Sequence, residues 1–163
     1  MSTRTSEQWL AGAQQWADWD VNAATKAQVQ QLVASEDIGK LRKLFGSRVA
    51  FGTAGLRAVM GPGPAAMNDL VVIQAAQGIC KYLTTQFGEQ AKQMGVALGY
   101  DHRKQGSLSS KRFAELSAAV CLHYGIKVYL FEGFVATPLV VRSAQPLGFG
   151  CGCNCLLTTF LAC

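Results

Sequence analysis

Apolar residues in the first 45 positions recur every three or four places, which is the spacing of one helical face. Trp9, Trp16 and Trp19 follow that spacing and suit packing. Asp20 and Thr25 offer caps for a second helix carrying Val29, Leu32 and Val33. Ser35, with Glu36 and Asp37 behind it, suits the acidic first turn of a short third helix through Leu41, Leu44 and Phe45, ended by Gly46. The pattern predicts a helical preface over residues 1–47.

From Arg48 the texture changes. Short apolar stretches at 49–51 and 56–60 flank Gly52-Thr53-Ala54-Gly55, and Gly61-Pro62-Gly63-Pro64 follows, so the segment reads as strand, glycine turn, strand and loop. Asn68 is placed to cap a helix whose residues Val72, Ile73, Ala76, Ile79, Cys80 and Leu83 keep a 3.6-residue period until Gly88. A buried strand is expected over 95–100, an amphipathic helix over 107–125 and a second strand over 126–131. Strand, helix, strand implies a right-handed parallel crossover. Ligands of open α/β sheets gather beyond the carboxyl ends of the strands, which puts residues 101–103 and 132–137 on one rim.

The pattern stops after Val141: of 25 charged residues only Arg142 falls in the last 22 positions, where Gly and Cys dominate. We therefore divide the chain into a preface (1–47), an α/β region (48–141) and a divergent tail (142–163). A length of 163 residues, half of them apolar and 15% charged, suits one hydrophobic core rather than disorder.

The net charge of +5 is compatible with anionic ligands, but the basic residues are scattered. Arg42, Lys43 and Arg48, and then Arg103, Lys104, Lys111 and Arg112, read as solvated faces, so no nucleic-acid partner is expected. Residues 1–8 are polar and lack the apolar run of a signal peptide, which predicts a cytoplasmic protein. The most apolar stretch, 147–163, is short and interrupted by Gly, Asn and Thr, so no membrane partner is expected either. Six cysteines then imply reduced thiols: Cys80 and Cys121 in the core, and Cys151, Cys153, Cys155 and Cys163 in the tail. The alternate spacing of the tail cysteines is not that of a zinc knuckle, and no metal site is assigned.

Three segments carry candidate chemistry. Gly52-Thr53-Ala54-Gly55-Leu56-Arg57 combines glycines that let N–H groups approach an anion, a hydroxyl donor and a guanidinium; alone, it also fits a hairpin turn with a surface arginine. In Gly99-Tyr100-Asp101-His102-Arg103, Asp101 and Arg103 can hold each other across a strand end while Ser107, Ser109 and Ser110 cap the next helix. His102 reads as a rim residue and His123 as half-buried. In Phe134-Val135-Ala136-Thr137-Pro138-Leu139, Thr137 is an N-cap and Pro138 the first helical residue.

In this order and spacing the three segments resemble the N-terminal domain of the α-D-phosphohexomutases, the phosphoglucomutase and phosphomannomutase superfamily. Residues 51–60, Asn68-Asp69-Leu70, Val72-Ile73-Gln74 and the Trp-rich preface are most similar to its phosphoglucomutase-2 or phosphopentomutase-like branch. The resemblance covers about residues 7–141. It implies an α/β fold, an incomplete first phosphohexomutase domain with a mixed sheet flanked by helices, behind a helical N-terminal preface. It further implies a magnesium-dependent isomerase that moves phosphate within glucose or pentose phosphates through a phosphoserine and a bisphosphate. By the same resemblance Arg57 contacts a phosphosugar of the glucose 1,6-bisphosphate class, and Thr53 and Gly55 shape its loop.

The sequence departs from that family in specific places. It holds no Thr-Ala-Ser-His-Asn-Pro type loop and no Asp-x-Asp-x-Asp loop, so no catalytic residue and no magnesium ligand is assigned; Thr158-Thr159-Phe160 is no substitute. Ala136 stands where proline usually precedes Thr-Pro. The expectation is a truncated, catalytically incomplete mutase, alternatively a non-catalytic phosphosugar-binding or mutase-partnering fragment, with poor solubility and self-association through an unfinished sheet edge.

Overall fold

The computed structural model describes residues 4–52 and 55–144. Three helices open the chain: α1 (Ser6–Trp19), α2 (Ala23–Ala34) and α3 (Ile38–Phe45). A two-stranded antiparallel piece follows, β1 (Phe51–Gly52) and β2 (Gly55–Leu56), then α4 (Asp69–Phe87) and the short α5 (Glu89–Met94). Next come β3 (Val96–Tyr100), a hairpin of β4 (Lys104–Gln105) and β5 (Leu108–Ser109), α6 (Ser110–His123), β6 (Val128–Phe134) and α7 (Thr137–Ala144). The α/β class read from the sequence holds.

Several boundaries differ from the sequence expectation, each for a local reason. Helix α1 begins with a reciprocal capping box between Thr5 and Gln8. Helix α2 is capped by Asn22, whose side chain accepts from the Ala24 N–H; Thr25 lies inside it and donates to Asp20 Oδ2 at 2.5 Å. Asp20 also accepts the Asn22 N–H, so it fixes the α1–α2 turn rather than capping α2. The cap of α3 is Asp37, not Ser35, which ends α2. Hydrogen bonds from Lys40 hold the Asp37 carboxyl below the usual range, so this cap is fully present above the ordinary carboxylate pKa and is lost as pH falls through the lowered value. Trp9 and Trp16 are buried, but Trp19 is 55% exposed because α1 turns it away from the other helices.

Two apolar clusters form the core. Trp9, Ala13, Trp16, Ala17, Val29, Leu41 and Phe45 close the preface on itself and on Leu70 of α4. The larger cluster joins Val72, Ile79, Cys80 and Leu83 of α4, Phe113, Ala118 and Cys121 of α6, and Val96, Leu98 and Tyr100 of β3. Strands β3 and β6 are parallel, pairing Val96 with Val128 and Leu98 with Leu130 before a bulge brings Tyr100 opposite Phe134. That bulge accounts for a second strand reaching Phe134 instead of stopping at Phe131. The other face of β3 belongs to α7: a Cβ on Gly99 would lie 2.4 Å from Val135 Cγ1 and 2.6 Å from Val140 Cγ2. Glycine at 99 is thus what lets α7 approach, and helices cover both faces of the strand.

The 107–125 helix expected from periodicity begins only at Ser110, because residues 104–109 turn back as the β4–β5 hairpin with Gly106 at φ 58°. Ser109 is its cap, accepting from the Arg112 N–H. His123, expected half-buried, is exposed on the last turn. Helix α7 starts at Thr137, so Pro138 is its second residue and not its first.

A polar contact ties the two clusters together. Asp69, fully buried in the first turn of α4, accepts from Asn22 Nδ2 at 3.1 Å and from Arg112 Nε at 2.6 Å, while Ser107 donates to Asn22 Oδ1 at 2.9 Å. Removing the carboxylate strands buried donors, which costs more than the bond itself contributes. Arg112 is 41% exposed and can turn to water, which lowers the cost. Asp69→Ala should therefore lower unfolding free energy by about 2 to 3 kcal/mol, read as a shifted urea midpoint. A change within about 0.5 kcal/mol, as for ordinary surface positions, would contradict this role.

Candidate functional site

The proposed anion loop is built from its anchors outward. Leu56 is buried in the larger cluster, and Gly55 before it takes φ 99°, which side-chain-bearing residues avoid. Arg57 follows directly and is exposed, so fixed backbone on one side delivers a guanidinium to solvent on the other. Thr53 lies outside the described residues.

Behind the loop, the 61–67 segment is held by one side chain. Asn68, fully buried, places Nδ2 within 2.9 Å of the Gly61 carbonyl and 2.7 Å of the Gly63 carbonyl, while its Oδ1 accepts the Val71 N–H at 3.0 Å. It is both the expected helix cap and the organiser of the preceding turn. The Met67 N–H donates to the Val59 carbonyl and the Gly61 N–H to the Met67 carbonyl, fastening the return of the chain from Arg57.

The rim at the carboxyl ends of β3 and β6 forms as expected for Asp101. Its Oδ2 meets Arg103 Nε at 3.0 Å and its Oδ1 accepts both the Arg103 N–H and the Ser110 hydroxyl, the latter at 2.7 Å. Ser110 in turn accepts the Asp101 N–H at 3.1 Å. With all these bonds inside the turn, Asp101 is a positioning residue. His102 is exposed and its ring meets Phe134 edge-on at 6.5 Å. Tyr100 donates to the Glu132 carbonyl at 2.5 Å, so Glu132 lies along β6 rather than beyond its end.

A cavity of about 200 Å³ opens beside Leu56, walled by Arg48, Pro64, Val71 and Gln74. A second, of about 490 Å³, runs from Arg48 along Trp9, Trp16 and Trp19 of α1. Neither of these two cavities has Arg57 or the Asp101–Arg103 pair in its walls. Among the described residues no three His, Cys, Asp or Glu side chains converge as a metal site. The tail cysteines lie outside the described residues. No described helix is long and apolar enough to cross a membrane.

Sequence reasoning passed over Asn22, Asp69, Ser107 and Arg112 as a group. The Asn22–Asp69 and Asp69–Arg112 contacts span 47 and 43 positions, and no local pattern signals a pairing at that range. An acid placed in the first turn of α4 was the single available hint.

Residues 48–155 match the phosphoglucomutase/phosphomannomutase α/β/α domain I, a span that runs past the composition change at Val141. Over 128 residues, 77% of this chain, it is 48% identical to a phosphopentomutase of Homo sapiens. It is 47% identical over 82% of its length to a glucose 1,6-bisphosphate synthase of Mus musculus, and 43% over 85% to a probable phosphoribomutase of Schizosaccharomyces pombe. These alignments cover 21%, 22% and 23% of the respective relatives, so the chain spans about a fifth of their length. No solved structure matches it. With this architecture and this match over the whole of its α/β region, the chain belongs to the phosphoglucomutase/phosphomannomutase family and carries its domain I.

Proposed function

We propose that the chain supplies the phosphate-facing N-terminal module of a pentose- or hexose-phosphate mutase, with Arg57 as its contact to a sugar phosphate of the glucose 1,6-bisphosphate class. The observation that carries this reading is the exposed guanidinium set one residue beyond buried Leu56 and two beyond Gly55 at φ 99°. Phosphate binding by such a group is favoured because the planar fork makes paired, charge-assisted hydrogen bonds. The relatives' names, phosphopentomutase, phosphoribomutase and glucose 1,6-bisphosphate synthase, support a pentose phosphate or a hexose bisphosphate as ligand. Thr53 and Gly55 are the residues that would let the backbone approach the anion.

Carbohydrate metabolism is the setting we propose, supported by the relatives' names, with the cytoplasm as its compartment. The family resemblance brings magnesium with the complete reaction. The described residues offer no cluster that fits it, so no step is assigned to a metal on this chain.

Phosphoryl transfer depends on a donor group, exact positioning and charge neutralisation. The 163 residues contain neither the Ser-His-Asn donor loop nor the triple-aspartate loop. A second reading therefore stands beside the first: a fragment that binds phosphosugar without turning it over, or that pairs with a complete mutase. Co-purification with mutase activity would distinguish such pairing from the first reading.

Arg57→Ala should weaken binding of glucose 1,6-bisphosphate about ten- to a hundredfold by calorimetry, the equivalent of one or two charge-assisted hydrogen bonds. Arg57→Lys should fall between the two, and equal affinity for all three proteins would remove Arg57 from the site. A purified polypeptide of these 163 residues should not convert glucose 1-phosphate to glucose 6-phosphate. Turnover above a buffer blank would contradict the proposed incompleteness.

A further inference from the structure

Cys80 on α4 and Cys121 on α6 place their sulfurs 3.5 Å apart inside the larger core cluster, and both residues are fully buried. Neither is part of the proposed phosphate site. Apolar side chains surround them on both helices, with Ile79 and Leu83 on one side and Phe113 and Ala118 on the other. A buried cysteine is ordinarily an inert small hydrophobe. Two that meet across a helix interface differ, because each is the other's nearest reaction partner.

We propose that this pair is an oxidisable site, converted by a hydroperoxide into a disulfide that ties α4 to α6. One sulfur, as thiolate, attacks the peroxide: an S–O bond forms, the O–O bond breaks, and the thiol proton leaves with the departing oxygen as water or alcohol. The sulfenic acid is then attacked by the second thiol; the S–S bond forms and the S–O bond breaks, releasing water. Two thiols lose two electrons and two protons, and one peroxide gains them.

The geometry gives the order of events. The Cys121 thiol is pushed up, first by its hydrogen bond to Cys80 and then by burial. The same hydrogen bond lowers Cys80, which makes Cys80 the sulfur that ionises first and takes the oxygen. Access requires opening, since neither sulfur reaches solvent. Cys121 lies in the last turn of α6, before exposed Leu122 and His123, and helix ends open locally at less cost than the core unfolds. Once formed, the bond closes a loop across a separation of 41 positions, which removes freedom from the unfolded chain and should raise the denaturation midpoint.

The test uses the 163-residue chain with Cys151, Cys153, Cys155 and Cys163 changed to Ser, so that only this pair can react. It is treated with hydrogen peroxide in native buffer, alkylated, digested without reductant and read by mass spectrometry. The expected product is a Cys80–Cys121 cross-linked peptide lighter by two hydrogens than its parts, with a raised urea midpoint that dithiothreitol returns to the starting value. The same treatment in denaturing guanidinium should give mainly over-oxidised monothiols. Recovery of both cysteines as alkylated thiols or separate sulfinic acids from native buffer would overturn the proposal. Equal cross-linking in both solvents would overturn it too, because the fold would then play no part. Cys80→Ala should leave Cys121 uncross-linked and, if the order of attack holds, less oxidised than Cys80 is in Cys121→Ala.

Discussion

The structure depends on a buried carboxylate. Asp69 sits at the first turn of α4 with no exposed surface and accepts from Asn22 of the preface and Arg112 of α6. A charge in that position is tolerable only while such donors and the helix N-terminus face it. One carboxylate oxygen, Oδ1, has no protein partner, so the arrangement has no spare donor to lose. If α1–α3 or α6 moved away, Asp69 would lose its Asn22 or Arg112 donor. The preface is therefore fastened to the α/β region through Asp69 as well as through the apolar contact of Leu70.

That fastening bears on the loop proposed to face phosphate through its neighbour. Asn68 holds the turn behind Arg57, and Asp69 holds Asn68's own helix against the preface and α6. Adjacent residues thus set the position of the loop and the docking of the helix. Bonds from the Ala65 N–H to the Leu44 carbonyl and from the Val49 N–H to the Pro64 carbonyl join the same turn to the end of α3. An arginine contributes most to anion binding when its backbone is set before the ligand arrives, and these bonds fix the turn that follows Arg57.

Much of this was legible in the sequence where the signal is local. The Asn68 cap, the period of α4, the strand at β3, the Asp101–Arg103 pair and the two core cysteines each follow from residues within a few turns of one another. The family resemblance was carried by short motifs of the same kind. Failures came where two local signals compete or a contact is long-range. Asn22 outcompeted Asp20 and Thr25 as a cap because those two bond each other. The serine-rich segment after Arg103 carried helix-cap signals, yet Gly106 at φ 58° turns it into a hairpin first. Periodicity gave no warning that Trp19 or His123 faces solvent, since a helix end can satisfy the period without reaching the core.

The central proposal, that this domain presents Arg57 to a sugar phosphate ahead of the turn held by Asn68, is tested most directly by amide NMR of the nitrogen-labelled chain titrated with glucose 1,6-bisphosphate. The account predicts saturable shifts concentrated at Gly55, Leu56 and Arg57, with the amides of α1–α3 unmoved. An unchanged spectrum, or shifts confined to the β4–β5 hairpin, would contradict it.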